Sequence, residues 1–355
     1  MNKANATNSK PPAASLSVFL SRLMRGENLS RHDASEFLES LLDGVATDGQ
    51  IAAALVALAV KGETVEELTG IAAAMRSRAV RIKARHERFL DTAGTGSSCA
   101  KTFNVSTAAA FVIAGAGLSV AKHGNRAVTS RSGSSDVLTA LGVGVSASPE
   151  VSEKCLNDLG VCFMFAPLYH GTTARVAAIR RELGVRTVFN LLGPLTNPAG
   201  APYQLVGVCQ RELVEPIAQT LAALGTKRAW VVHGWDGLDE VTLSGKTVVG
   251  EAKDGQVKIF ELGPEDFGLR SASLENLAAG DAEASARIIR EVFSGRRDDA
   301  ARDLVVANAA AGLFIGGAAT TLREAANLAA ASIDTGAAAA KLSELMKATT
   351  TGMDA

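Results

Sequence analysis

Apolar residues recur at i, i+3, i+4 spacing in four successive segments near the start of the chain: SLSVFLSRLM from Ser15, RHDASEFLESLLDGV from Arg31, GQIAAALVALAVKG from Gly49 and TVEELTGIAAAMRSRA from Thr64. That period predicts four amphipathic helices between Ser15 and about Val80, each burying one face, and so a small helical domain. Ser30 and Thr64 stand where helix N-caps are expected, and Gly44 and Gly62 where helices end. After Lys83 the pattern changes. RFLDTAGT, GLSVAKHG, VCFMFAP, YQLVGVC and RAWVVHG read as short strands, and TAAAFVIAGAG, SSDVLTALG and LVEPIAQTLAALG read as helices between them. Such alternation predicts an α/β fold with a mainly parallel sheet flanked by crossover helices. From Asp281 onward the chain is helical and rich in alanine.

Composition narrows the class. The formal charge of −1 gives no basic field for nucleic acid or an anionic membrane. Ile51–Val60 is apolar but far too short to span a bilayer. Residues 1–14 are polar and lack an apolar run, which predicts a disordered tail and not a signal peptide. Cys99, Cys155, Cys162 and Cys209 form no CxxC pair, so reduced thiols in a cytoplasmic protein are expected, with Cys99 set apart by its place in a glycine turn.

The chemistry gathers where strands end. GTGSSCAKTFNVST, from Gly94, follows the first strand and precedes a helix whose free N–H groups would face an anion. Asn104, Ser106 and Thr107 add side-chain donors there. The turn is neither a Walker loop nor GxGxxG, so alone it also reads as an ordinary strand-to-helix turn. KHGNRAVTSRSGSSD, ending the next strand, brings Lys122, His123, Asn125 and Arg126 to the same side, with a second cup around Gly133. Two cups suit a ligand with two separated phosphate groups. In HGWDGLDEV, Asp239 and Glu240 are adjacent carboxylates on a loop, a pattern that suits Mg²⁺ or a solvated turn. On the helix before GPLTNP, Arg181 and Glu182 read as surface salt-bridge formers, and Arg180 as a guanidinium able to clamp a carboxylate.

In this order and at these distances, GTG…TFNVST, KHGNRAVTSRSGSSD, RRELGVRTVFNLLGPLTNP and HGWDGLDE resemble the anthranilate phosphoribosyltransferases of tryptophan biosynthesis, from about Ser15 to Leu345. The resemblance implies transfer of the 5-phosphoribosyl group from phosphoribosyl pyrophosphate to the amine of anthranilate, releasing pyrophosphate. It implies a small helical domain over 15–83, completed by a segment near 168–195, and a large α/β domain over 84–167 and 196–348. It also implies a homodimer formed through the small domain. Carried over by position, Gly94, Ser97, Ser98, Thr102, Asn104, Ser106, Thr107, Lys122, Arg126 and Ser134 would hold phosphoribosyl pyrophosphate. Ser106, Asp239 and Glu240 would hold Mg²⁺. Gly94, Asn125 and Arg180 would place anthranilate, with His123, His170 and Pro194 lining its path, and no residue is implied as general base.

One departure stands out. The family turn usually reads GTGGDG, and here Ser97, Ser98 and Cys99 follow GTG. A negative charge and two conformationally free glycines are lost, although hydroxyls still donate to phosphate, so activity is expected to survive. Two other classes compete. A nucleoside phosphorylase shares the KHGNR-like block, but RRELG…GPLTNP and the acidic pair argue against it. A nucleic-acid-binding relative would need a basic groove, which the balanced charge opposes.

Overall fold

The computed structural model describes residues 15–96, 102–126 and 132–350. The expected tail over 1–14 and the turn residues Ser97, Ser98 and Cys99 lie outside the described residues. Four helices come first: α1 (Leu16–Met24), α2 (Arg31–Leu42), α3 (Asp48–Lys61) and α4 (Val65–Arg78). Ser30, Thr47 and Thr64 each accept from the amide three residues on, and Asp33, Gln50 and Glu67 return a bond to the cap. Glu67 is fully buried but paired, taking the Leu29 N–H at 2.8 Å and Lys61 Nζ at 2.9 Å.

The alternating part begins with β1 (Phe89–Asp91), α5 (Val105–Gly115), β2 (Ser119–Gly124), α6 (Ser134–Leu141), α7 (Pro149–Leu159) and β3 (Val161–Phe165). The chain then forms three short helices, α8 (Ala166–Tyr169), α9 (Ala174–Leu183) and α10 (Phe189–Leu192). It returns through β4 (Tyr203–Gly207), α11 (Val214–Ala223) and β5 (Arg228–Gly234) to a hairpin, β6 (Thr247–Lys253) and β7 (Gln256–Leu262). Helices α12 (Ala282–Phe293), α13 (Ala300–Ile315), α14 (Leu322–Asp334) and α15 (Ala337–Thr350) finish it.

The sheet runs β3-β2-β1-β4-β5-β6-β7, parallel through β5 and antiparallel for the last two pairings. The fold is thus α/β with a mainly parallel sheet. The strands expected from the sequence end at β5, so the hairpin and α7 are additions to them. Asp254–Gly255, both at positive φ (51° and 78°), form the turn that joins β6 to β7, a legible hairpin signal. Alternation along β5 divides the interior: Trp230 and Val232 face α5, α12 and α13, while Ala229 and Val231 face α11 and, through it, α1–α4 with α9 and α10. The helices at the start of the chain therefore share one apolar core with the segment around Arg180 and with one face of the sheet.

The topology also locates the site. From β1 the chain winds outward through β2 and β3, then returns to place β4 on β1's other side. Connections leaving the carboxyl ends of β1 and β4 diverge, which opens a crevice at that switch point.

Candidate active site

At the switch point the backbones meet almost without side chains. Gly94 bridges Gly207, and a Cβ on Gly207 would fall 1.7 Å from the carbonyl oxygen of Asp239. Only glycine lets the acidic loop close on the end of β4. A crevice of about 550 Å³ opens beside this contact. The turn after β1 brings Gly94, Thr102, Asn104 and Ser106 to its wall. The end of β2 and the start of α6 bring Lys122, His123, Asn125, Arg126 and Ser134. Asp239 and Glu240 face them, and Arg180 comes from α9.

Lys122 is buried, with Nζ 2.7 Å from Thr92 O, 3.1 Å from Thr92 Oγ1 and 3.5 Å from Ser106 Oγ. Burial pushes its pKa down, and the carboxyls of Asp91 and Glu240 oppose that. Glu240, held at Oε1 by the Ser106 N–H at 3.1 Å, is shifted upward by desolvation and then by its neighbour Asp239. Asp239 and Glu240 are half-buried, so the acidic turn is only partly solvated. Its carboxyls repel each other, and a cation would relieve the repulsion. The donor set is hard oxygen: two carboxylates and a serine hydroxyl. No group of three or more His, Cys, Asp or Glu residues forms a cage among the described residues. Mg²⁺ fits such a place, since it keeps one or two carboxylates and fills its shell with water and phosphate oxygens.

Arg180 forms the other end. Its guanidinium lies 5.3 Å from the centre of the Phe189 ring, and Nη2 donates to Asn190 Oδ1 at 3.2 Å. Nε is buried without a partner. A guanidinium fixed over an aromatic ring with an unused donor is suited to receive a carboxylate. Burial lowers its pKa, yet guanidinium stays charged at neutral pH.

His123 and His170 meet edge to face at 5.2 Å, and both Nε2 atoms are buried without a partner. Gly193 O can only accept, so His123 Nδ1 is its N–H partner at 3.0 Å. Burial first, then His170 and Lys122, pushes the His123 pKa down to about 3; burial pushes His170 to about 4. Both folded values lie below the ordinary 6.5, so the unfolded chain takes up protons first as pH falls. Their contribution to stability is complete above about pH 6.5 and is lost on the way down to 4 and 3. The expected NMR result is that neither imidazole titrates between about pH 8 and pH 5. A midpoint near 6.5 for either ring would contradict this packing.

A glycosyl transferase family α/β-domain model matches residues 86–339, and a glycosyl transferase family helical-bundle model matches 17–79. An anthranilate phosphoribosyltransferase from Moorella thermoacetica is 51% identical over 331 residues, covering 93% of this chain and 97% of that one. The chain belongs to the anthranilate phosphoribosyltransferase family. Among solved members of the family, the Thermus thermophilus enzyme superposes with a TM-score of 0.87 at 39% identity, covering 93% of this chain and 99% of that one. The Saccharomyces cerevisiae enzyme, solved in complex with phosphoribosyl pyrophosphate and Mg, superposes at 0.85 with 30% identity, covering 95% and 98%. The same yeast enzyme has also been solved with 4-fluoroanthranilate.

Not every residue expected from the family pattern reaches the crevice wall. Thr107 is buried under the first turn of α5, its Oγ1 unpartnered. Pro194 is buried, and its carbonyl accepts from Gln204 Nε2 at 2.6 Å. His170 stands behind His123. Ser97 and Ser98 are outside the described residues. Arg181 and Glu182 are exposed, and neither forms an ion pair among the described residues; the basic partner of Asp48 across this surface is Arg175. Cys155, Cys162 and Cys209 are free and buried.

Sequence reasoning missed the supports. Asp91, fully buried and shifted up to about 6 by burial, accepts from Asn197 Nδ2 at 2.8 Å and from the His123 N–H at 3.1 Å. It ties the LTNP segment to the end of β2. Phe189, Asn190 and Asn197 lie within RRELGVRTVFNLLGPLTNP, so the motif carried a signal for them. Asn308 on α13 bonds both the N–H and the C=O of Val241, each at 2.9 Å, and fixes the residue after the acidic pair. Nothing in the pattern of α13 marks it.

Proposed function

We propose that this chain transfers the 5-phosphoribosyl group from phosphoribosyl pyrophosphate to the amine of anthranilate, releasing pyrophosphate. One observation carries the reading: a single crevice joins a carboxylate receptor, Arg180 on Phe189, to a pole of anion donors and paired acids. Thr102, Asn104, Ser106, Lys122, Arg126 and Ser134 hold the phosphates, and α5 directs its N-terminal dipole at them. Asp239 and Glu240, with Ser106, hold Mg²⁺. Gly94, Asn125 and Arg180 place anthranilate, with His123 beside it.

Breaking the bond from C1 to pyrophosphate leaves positive charge on the ribose and negative charge on the departing group. Mg²⁺ at the acidic pair supplies charge neutralisation for those departing oxygens. Lys122 and the N-terminal end of the α5 dipole add fixed positive charge where that charge develops. The aniline nitrogen is already neutral at pH 7, so no strong base is required. Arg180 turns the amine towards C1 by fixing the carboxylate beside it, and positioning supplies much of the rate.

The helical unit, 15–83 with 168–195, and the α/β unit, 84–167 with 196–348, are the two bodies between which substrate enters. Two copies pair through the helical unit, where Met24, Val45 and Val60 are exposed. The setting is cytoplasmic; no helix of the described residues is long and apolar enough to cross a membrane. The test is loss of anthranilate fluorescence on mixing with phosphoribosyl pyrophosphate across a Mg²⁺ series. Loss that requires every component is the expected result. No loss at any Mg²⁺ concentration would overturn the reading and direct the search to other amines.

A further inference from the structure

Asn104 occupies the N-cap position of α5, yet its side chain caps nothing in the first turn. Asparagine there ordinarily turns its oxygen onto the second or third amide of the helix. Here Oδ1 is taken by two hydroxyls, Ser285 Oγ and Ser132 Oγ, each at 3.1 Å. Ser285 Oγ also accepts the Asn104 backbone N–H at 2.9 Å. Ser285 lies on α12, 181 residues along the chain, and is 0% exposed.

Two hydroxyls converge on the amide oxygen. Ser285 receives the backbone N–H on a lone pair, and its own hydrogen goes to Oδ1. The NH₂ of Asn104 is then turned away from Ser285, and Asn104 forms part of the crevice wall. Among the described residues that NH₂ has no acceptor. The first turn of α5 takes its partners from elsewhere: the Ser106 N–H goes to Glu240 and the Val105 N–H to the Phe103 carbonyl.

We propose that Ser285 is a positioning residue for the phosphate-bearing substrate: by drawing the Asn104 oxygen off α5, it presents Asn104 Nδ2 to a phosphate oxygen. The inference rests on the crevice being the phosphoribosyl pyrophosphate site. It goes beyond that reading by assigning a role to a helix that contributes no side chain of its own to the substrate.

The experiment compares Ser285→Ala, the hydroxyl-retaining Ser285→Thr, Asn104→Ala and the double variant Ser285→Ala/Asn104→Ala. Calorimetric binding of phosphoribosyl pyrophosphate with Mg²⁺ and steady-state kinetics are the readouts. Ser285→Ala is expected to raise Kd and KM for phosphoribosyl pyrophosphate about tenfold, the size of one lost hydrogen bond to a charged group, with anthranilate KM within about twofold. Ser285→Thr should recover most of the affinity. The double variant should bind no worse than Asn104→Ala alone, because Ser285 acts through Asn104. If Ser285→Ala does not fold, Ser285→Cys, a poor donor of similar size, carries the same comparison against Ser285→Thr. Weakened binding in Asn104→Ala with none in Ser285→Ala, or additive losses in the double variant, overturns the positioning role and leaves the crevice reading standing. Unchanged binding in Asn104→Ala overturns the reading of the crevice, and the inference with it.

Discussion

Replacing Arg180 with alanine is expected to lower kcat/KM for anthranilate by about 10²–10³-fold, the range for truncating one partner of a desolvated charge pair. The loss should fall on anthranilate alone. KM for phosphoribosyl pyrophosphate should stay within about twofold, since Arg180 belongs to the helical side of the crevice and the phosphate donors to the strand ends. Arg180→Lys should recover little. The guanidinium lies over the Phe189 ring and is anchored by Asn190, and an ammonium cannot bond a carboxylate in two places. An unchanged anthranilate KM and kcat in Arg180→Ala would remove Arg180 from the site. Because its contacts are a stack and one side-chain bond, the melting temperature should move far less than the rate.

Asp239→Asn and Glu240→Gln should produce the second large effect, and on the other substrate. Each keeps the shape of the loop and removes one of two adjacent carboxyls. The Mg²⁺ concentration for half-maximal rate should rise at least about tenfold, and kcat/KM for phosphoribosyl pyrophosphate should fall about 10²-fold. Stability should hold or improve. Glu240 is shifted upward by desolvation and by Asp239, so a neutral amide relieves the repulsion between the two. In Glu240→Gln the side-chain amide oxygen can still accept the Ser106 N–H that Glu240 now takes. Calorimetric melting alongside a Mg²⁺ titration separates the two quantities. A titration that matches the unaltered chain would show that the acidic pair is not the seat of the metal.

Both predictions concern residues that could be picked out along the chain, because each sits in a short segment of unusual chemistry. Arg180 stands at the head of RRELGVRTVFNLLGPLTNP, and Asp239–Glu240 follow a strand and a glycine turn. Their surroundings were less legible. Whether the acidic pair is solvated depends on β4 lying within backbone contact of its loop, and that approach depends on Gly207, which looks like any glycine ending a strand. Lys122 could be assigned to the crevice side from its place at the end of a strand. Its burial between Asp91 and Glu240 could not, because those carboxyls come from a different strand and a distant loop.

By itself the sequence determined the periodic elements and their class: period 3.6 for α1–α4, strand–helix alternation for β1 through β5, and the caps at Ser30 and Thr64. These rest on interactions within a few residues, so they can be read locally. It also determined which residue types could meet phosphate, carboxylate and metal, because loops at strand ends carry their chemistry in contiguous runs. The tertiary structure alone decided the strand order that opens a crevice between β1 and β4, the stacking of Arg180 on Phe189, and the withdrawal of Thr107, Pro194 and His170 from the wall. It alone brought Ser285 to Asn104 and Asn308 to Val241, across 181 and 67 residues. A single buried hydroxyl or amide leaves no periodic trace in a helix, and its partner is set by which helices pack together, not by its neighbours in the chain.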